Sequence, residues 1–378
     1  MNDTHPFPII GLFILSLILP ASSQTFSSGS DGSYGAINIT SDTTLTTPVD
    51  GIFNATTIFV ASNAVLTFTR NQLNTPVYLL ASGSVVIEGG IDVSGDDAIG
   101  SMGGLGGPGG FAGGHGGGIG AGAGMGPGGG NPSKPGAYAE ISDGTFGPLN
   151  SRLYGNTLLM PLIGGSGGGG RTGDSGGGGG GGAILISSST FVQIEGGIFS
   201  LSGVASSSSL AGQSLTCGSG GAVRIVTPKI LGSGIIDLKR ALPGYDERVS
   251  AGRIRIDTLD PAPLITIRGV GSIGTFMQVF PTIRPKLEII EVAGQPVSPT
   301  SATLLTIPIG GPLATTIKIR ATDFQGSVPI QIALTPDSSN RTLVDHTINM
   351  GGATTVTETV NLTLSDNTLT HVHVWTRP

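Results

Sequence analysis

Residues 164 to 203 read "GGSGGGGRTGDSGGGGGGGAILISSSTFVQIEGGIFSLSG", a run of nearly pure glycine that passes at Ala183 directly into a strand pattern. Glycine loses more backbone freedom on ordering than any other residue. The segment that follows is rich in Ile, Leu, Val and Thr, the types that favour extended chain. How the two halves belong to one fold decides the reading of the whole sequence.

The strand half recurs. "VYLLASGSVVIEGGIDVSG" from Val77, "AILISSSTFVQIEGGIFSLSG" from Ala183, "AVRIVTPKILGSGIIDLKR" from Ala222 and "GRIRIDTLDPAPLITIRG" from Gly252 align as copies of one unit. "TTIFVASNAVLTFT" from Thr57 is a shortened earlier copy. Each unit is a short apolar strand, a polar corner and one or two further strands. Within them apolar and polar residues alternate, as in Arg253–Ile254–Arg255–Ile256, the period of a strand with one buried face. Almost nothing reads as helix. A single coil of this kind cannot bury its inward side chains, whereas stacked coils enclose an apolar column. The expected fold is therefore all-β, a parallel β-helix (β-solenoid) over residues 24–280. A flattened β-sandwich competes, but sandwiches prefer hairpins, and Asn-Gly or Asp-Gly turns between the strands are few.

The glycine half enters as insertions between matching coils, near residues 101–135 and 164–182, with a smaller "CGSGG" before Ala222. One reading is a flexible linker. The other is ordered glycine. "GGLGGPGGFAGGHGG" falls into triplets, and a period of three matches polyproline II geometry, whose extended segments could pack side by side and hydrogen-bond to one another. Collagen does not fit, because it has one glycine per triplet and far more proline. Both readings stand at the level of sequence.

Near Pro281 the pattern changes. "TTIKIRATDF", "VPIQIALTP", "TTVTETVNLTLSD" and "LTHVHVWTRP" are evenly spaced strands with Pro and Gly punctuation. They predict an immunoglobulin-like β-sandwich over 281–378, without the usual cysteine pair. Trp375 reads as a packing residue.

The run from Ile9 to Leu19 suits the apolar core of a signal peptide, and Ala21 and Ser23 place cleavage before Gln24, so residues 1–23 are expected to be removed on export. The region before the run carries no Lys or Arg. Expected localisation is extracellular or cell-surface, with no integral membrane segment after cleavage. Cys217 is the only cysteine, so no internal disulfide is possible, and a small buried residue is its simplest reading. A net charge of −6 spread over 18 basic and 24 acidic residues leaves no basic stripe for nucleic acid. Positive mean hydropathy argues against a solvated disordered chain.

"DGSYGAINITSDTTL", "NTPVYLLASGSVVIEGGIDVSG" and "PLIGGSGGGGRTGDSGGGGGGGAILISSS" followed by "IEGGIFSLSG" carry a resemblance. Together they resemble glycine-rich β-helix-like proteins among the secreted or surface proteins of environmental bacteria. The resemblance spans most of residues 25 to 260. It implies a structural or adhesive extracellular role and assigns no activity and no catalytic residues.

Parallel β-helices also carry polysaccharide-degrading enzymes, which need paired carboxylates. "GDDA" supplies Asp96 and Asp97, and "GHG" supplies His115. No Asn-Thr-Asp precedes the pair, however, and His115 lies within a low-complexity tract. The glycine runs contain Gly-x-Gly-x-x-Gly, but a strand follows where a dinucleotide site needs a helix. Asp174 is isolated, unlike the regular aspartates of calcium-binding repeats. His371 and His373 alternate on one strand and so face one side; a metal is conceivable there, a polar surface simpler. Asn38, Asn54, Asn340 and Asn361 fit the glycosylation sequon. No catalytic, cofactor-binding or metal-binding residue is assigned. The expectation is a non-enzymatic exported structural or adhesive protein whose scaffold presents glycine-rich surfaces, with an extracellular glycan or cell-surface component as partner and self-assembly open to it. The alternatives are a polysaccharide-degrading enzyme using Asp96/Asp97 with His115, and an ice- or surface-binding protein using polyproline II glycine arrays.

Overall fold

The computed structural model describes residues 26–117, 120–140, 153–173, 175–206, 216–240, 249–259, 264–298, 314–365 and 368–377. The expected signal peptide and Asp174 lie outside the described residues. Among those described, every regular element is a strand.

The repeat copies stack in parallel and in register. The first full copy contributes β5 (Val77–Ala81), β6 (Val85–Ile87) and β7 (Gly90–Asp92). The second contributes β8 (Ala183–Ser188), β9 (Val192–Ile194) and β10 (Gly197–Phe199). The third contributes β11 (Ala222–Thr227), β12 (Ile230–Leu231) and β13 (Ile235–Asp237). The fourth contributes β14 (Arg253–Thr258) and β15 (Thr266–Arg268). Earlier strands β1 (Gly35–Ile39), β2 (Thr43–Leu45), β3 (Ile52–Val60) and β4 (Val65–Phe68) extend the stack at one end, and β16 (Val270–Gly274) closes it at the other. All pairings in these two sheets are parallel.

Alternation places the same kind of residue at the same height in each copy. Phe53, Leu79, Ile186, Ile225, Ile256 and Ile273 are successive partners along one sheet. Leu66, Ile91, Ile198, Ile236 and Ile267 do the same along the other. Most of both columns enters one apolar core between the sheets. Burying such a side chain fully contributes about 1.5–3 kcal/mol.

Strands β8 and β11 are buried on both faces. Outside them Leu185 and Val226 pack with Tyr138, Tyr154, Leu162 and Val279, a second apolar layer formed by chain that crosses the sheet. The same outer face carries the register column Tyr78, Leu185, Arg224, Arg255. Arg224 is 1% exposed and Asp257 is fully buried. Asp257 accepts from Arg224 at 3.2 Å, from Arg255 Nε at 2.9 Å and from the Phe276 amide at 3.0 Å. Arg224 also donates to the carbonyls of Gln278 and Val279 at 2.6 and 3.1 Å, which ties down the segment leading into the C-terminal region.

That region is antiparallel. One sheet runs β18 (Gln295–Pro296), β17 (Lys286–Val292), β19 (Ala314–Thr322), β22 (Thr355–Thr363), and the other runs β21 (Thr342–Asn349), β20 (Ser327–Pro336), β23 (Thr370–Thr376). Ile317, Ile319 and Ala321 of the first pack with Ile330, Ile332 and Ile348 of the second in one apolar cluster.

Candidate functional site

The glycine tracts are ordered, and their hydrogen bonds give the geometry directly. The amides of Gly177 and Gly180 donate to Gly114 and Phe111, those of Gly178 and Gly181 to Thr216 and Ser219, and those of Gly179 and Gly182 to Asp96 and Val93. Successive amides thus address three different neighbours in rotation, the threefold symmetry of polyproline II chain. The carbonyls do likewise. Gly177 and Gly180 accept from Gly104 and Gly107, Gly178 and Gly181 from Gly168 and Gly165, and Gly176 and Gly179 from Ser206 and Gly203. Residues 176–182 therefore run through the middle of six segments: 93–96, 104–107, 111–114, 165–168, 203–206 and 216–219.

Such packing leaves no room for side chains at the centre. A Cβ at Gly179 would lie 2.0 Å from the Leu105 carbonyl oxygen, and one at Gly178 would lie 2.1 Å from that of Gly203. At the triplet position Leu105 the side chain is 53% exposed while the glycines beside it are buried or half-buried. Ile99, Met102 and Leu105, three residues apart, are all exposed. Of the two readings of the tracts, packed assembly is the one realised. Several peripheral segments, such as 93–96 and 216–221, are direct continuations of stack strands, so the bundle grows from the edge of the stack.

The opposite face of the bundle is covered by the outer face of the sheet β21-β20-β23. Because Ile330, Ile332 and Leu334 face the C-terminal core, Gln331, Ala333 and Thr335 face the other way, and all three are buried. A Cβ at Gly120 would meet the Ser338 carbonyl oxygen at 2.2 Å. Arg341, 8% exposed, donates to the carbonyls of Gly126 and Pro127 at 2.8 and 3.3 Å. His373 meets Phe111 edge to face, with ring centroids 6.2 Å apart.

His371 and His373 do share a face, as the alternation predicts, but that face is not open surface. The His371 Nε2 lies 3.3 Å from Asp337. Burial, and then the neighbouring His371, push the His373 imidazole down to about 4, and its Nδ1 has no hydrogen-bond partner among the described residues. No cluster of three or more metal-ligating side chains occurs among the described residues.

Asp96 and Asp97 diverge. Asp96 pairs with Arg70 at 2.7 Å, while Arg70 Nε also donates to the Gly106 carbonyl. Asp97 accepts from Arg240 at 3.0 Å and from the Val204 amide at 2.9 Å. His115 Nδ1 accepts from the Gly103 amide at 3.3 Å. No hydrogen bond joins either carboxylate to the imidazole among the described residues. Cys217 is buried as expected, and burial pushes its thiol up to about 12. Asn38, Asn340 and Asn361 are exposed, and Asn54 is half-buried.

Where the bundle, the segment that crosses the stack and the C-terminal sheet meet, there is a cleft of about 260 Å³. Pro127, Leu153, Tyr154, Gln331, Trp375 and Arg377 are among its lining residues. Gln331 and Trp375 are opposite each other in the β20–β23 ladder. Gln331 Nε2 and Arg377 donate to the two oxygens of Asp345, each at 2.6 Å. On the other wall the Tyr154 ring stacks on Tyr138 at 4.4 Å, and its hydroxyl donates to the Gly164 carbonyl at 2.6 Å and accepts from Ser166 at 2.9 Å. Burial holds that hydroxyl well above its ordinary pKa. Of these residues the sequence singles out only Trp375, as a packing residue; the rest come from four separate stretches with no shared motif.

Fold and site together define an all-β protein with parallel stacked sheets, a glycine bundle and an antiparallel C-terminal region. No protein-family model, curated protein or solved structure matches the chain.

Proposed function

We propose that this chain is a non-enzymatic exported protein with a structural or adhesive role at or beyond the cell surface. In this reading the stacked copies are a β-solenoid, the C-terminal region is an immunoglobulin-like sandwich, and the whole belongs with the glycine-rich β-helix-like surface proteins it resembles in sequence. The parallel in-register ladders support the solenoid, and two antiparallel sheets sharing one core support the sandwich. The apolar run at Ile9–Leu19 supports export.

The observation that carries the role is the enclosure of residues 176–182 by six hydrogen-bonded neighbours. A segment so constrained is a rigid platform, which favours holding a surface in place over supporting a moving active site. The divergent partners of Asp96 and Asp97 weigh against a shared catalytic water. One observation favours the ice- or surface-binding alternative as a second reading: Ile99 and Met102, paired across a tight turn, and Leu105 are large apolar side chains left exposed on the bundle.

Incubation of the mature chain with insoluble polysaccharides and soluble polyuronides separates these readings. The expected outcome is retention on at least one polysaccharide with no release of reducing ends or unsaturated products. Product release that disappears in Asp97→Asn would replace the proposal with a glycan-degrading enzyme. Thermal hysteresis without polysaccharide retention would replace it with the ice-binding reading.

A further inference from the structure

We infer that the cleft beneath Trp375 is a binding site for a single neutral sugar residue of a glycan chain. The inference rests on the adhesive reading above and gives that reading a specific ligand chemistry.

Size is the first argument. The cleft of about 260 Å³ falls below the roughly 300–1,000 Å³ of pockets that enclose drug-sized ligands. An open cleft of that size suits a single small ring such as a pyranose.

Chemistry is the second. A pyranose has an apolar face of C–H bonds and a rim of hydroxyls, so it needs an aromatic plane beside fixed planar donors and acceptors. Trp375, half-buried, brings an indole to the cleft. Gln331, Asp345 and Arg377 form a hydrogen-bonded chain, 2.6 Å at each link, that holds a carboxamide and a guanidinium in place before any ligand arrives. Pre-positioned groups lose less freedom on binding.

Charge is the third. Among the described residues, the cleft's one cationic lining residue, Arg377, is already neutralised by Asp345. A uronate or sulfated sugar would find no unmatched cation among the described lining residues, so a neutral sugar is the fitting class.

Position is the fourth. The walls come from the bundle side (Pro127), from the crossing segment (Leu153, Tyr154, Asn156, Pro161, Ile163) and from the C-terminal sheet. The site exists only when those parts are docked, so it belongs to the assembled protein and to none of its parts.

Trp375 is the only tryptophan in the chain, so its fluorescence reports on this cleft alone. The test is a titration of the full mature chain with glucose, galactose, mannose, xylose and N-acetylglucosamine, with glycerol as the control. Concentrations run to about 50 mM, above the millimolar range expected for so small a ligand. A saturable shift in emission with at least one sugar and none with glycerol is expected; no saturable change with any of them overturns the inference. In parallel, polysaccharide retention is compared for the wild type, Trp375→Ala and Arg377→Ala. At least tenfold weaker retention of both variants, with unchanged melting temperature, supports the site. Retention unchanged in both overturns the site while leaving adhesion standing. A wild type that binds no polysaccharide removes the adhesive reading, and the titration still judges the cleft by itself.

Discussion

At Gly179 the cost of one methyl group is set by the Leu105 carbonyl oxygen 2.0 Å from where it would sit, in a segment enclosed on six sides. The Gly179→Ala variant must push a neighbouring segment away and break bonds that segment makes, and about 3 kcal/mol or more of stability should be lost. Gly90→Ala is the matched control, since its Cβ would meet Val65 at an ordinary 3.5 Å; its melting temperature should change little. Equal melting temperatures for the two variants would argue against the packed bundle. His373 supplies a second residue-scale prediction. Its imidazole is held near 4 in the folded chain, against about 6.5 when unfolded. The unfolded state therefore takes up the proton first as pH falls. Stability is full above pH 6.5, declines between 6.5 and 4, and loses up to about 3 kcal/mol from this group. Denaturant titrations across that window should show the slope, and His373→Gln should flatten it.

The elements differ in how they satisfy their backbones. In β8 and β11 the amides pair along a ladder with two neighbours, and Ile, Leu and Val fill the spaces between sheets. In the glycine segments the amides turn through three directions, and the backbone itself fills the space. A buried amide left unpaired costs about 1–3 kcal/mol, so the bundle forms with nearly all its amides bonded or else comes apart. Hydrogen exchange should report this as protection of Gly177–Gly182 comparable to that of Ala183–Ser188. Exchange within seconds across the tract, beside a protected β8, would mean that the bundle does not persist in solution.

Across the whole molecule, the bundle lies between the parallel stack on one side and the C-terminal sheet on the other. The second contact is largely polar at its margin, where Arg341 reaches the carbonyls of Gly126 and Pro127. Removing that guanidinium takes away the Pro127 carbonyl's charged donor and one of the two donors to the Gly126 carbonyl, which also accepts from the Gly129 amide, so Arg341→Ala should weaken docking by about 1–3 kcal/mol. A single calorimetric transition in the wild type that divides into two in the variant is the expected result. An unchanged single transition would mean the two regions are held together elsewhere, for instance through Arg224 and the carbonyls of residues 278 and 279.

What the sequence by itself determined is the local pattern. Alternating Ile, Val and Leu specify strands and which face is buried, and recurrence of "IEGGI" specifies copies of one unit, because side-chain period and repeat length are properties of neighbours along the chain. The triplets of the first glycine tract likewise announce a period of three. Only the tertiary structure decided whether those glycines are linker or core. An isolated glycine run has no side chain to bury and no neighbour to bond, so its order depends on segments distant in sequence being delivered beside it. The same holds for Asp96 and Asp97, whose partners Arg70 and Arg240 arrive from other coils, and for His373, which alternation places beside His371 but which Phe111 covers from the bundle. The cleft at Trp375 is the extreme case. Its walls come from residues 127, 153–163, 331 and 375–377, and no spacing along the chain encodes a meeting that depends on three packed layers.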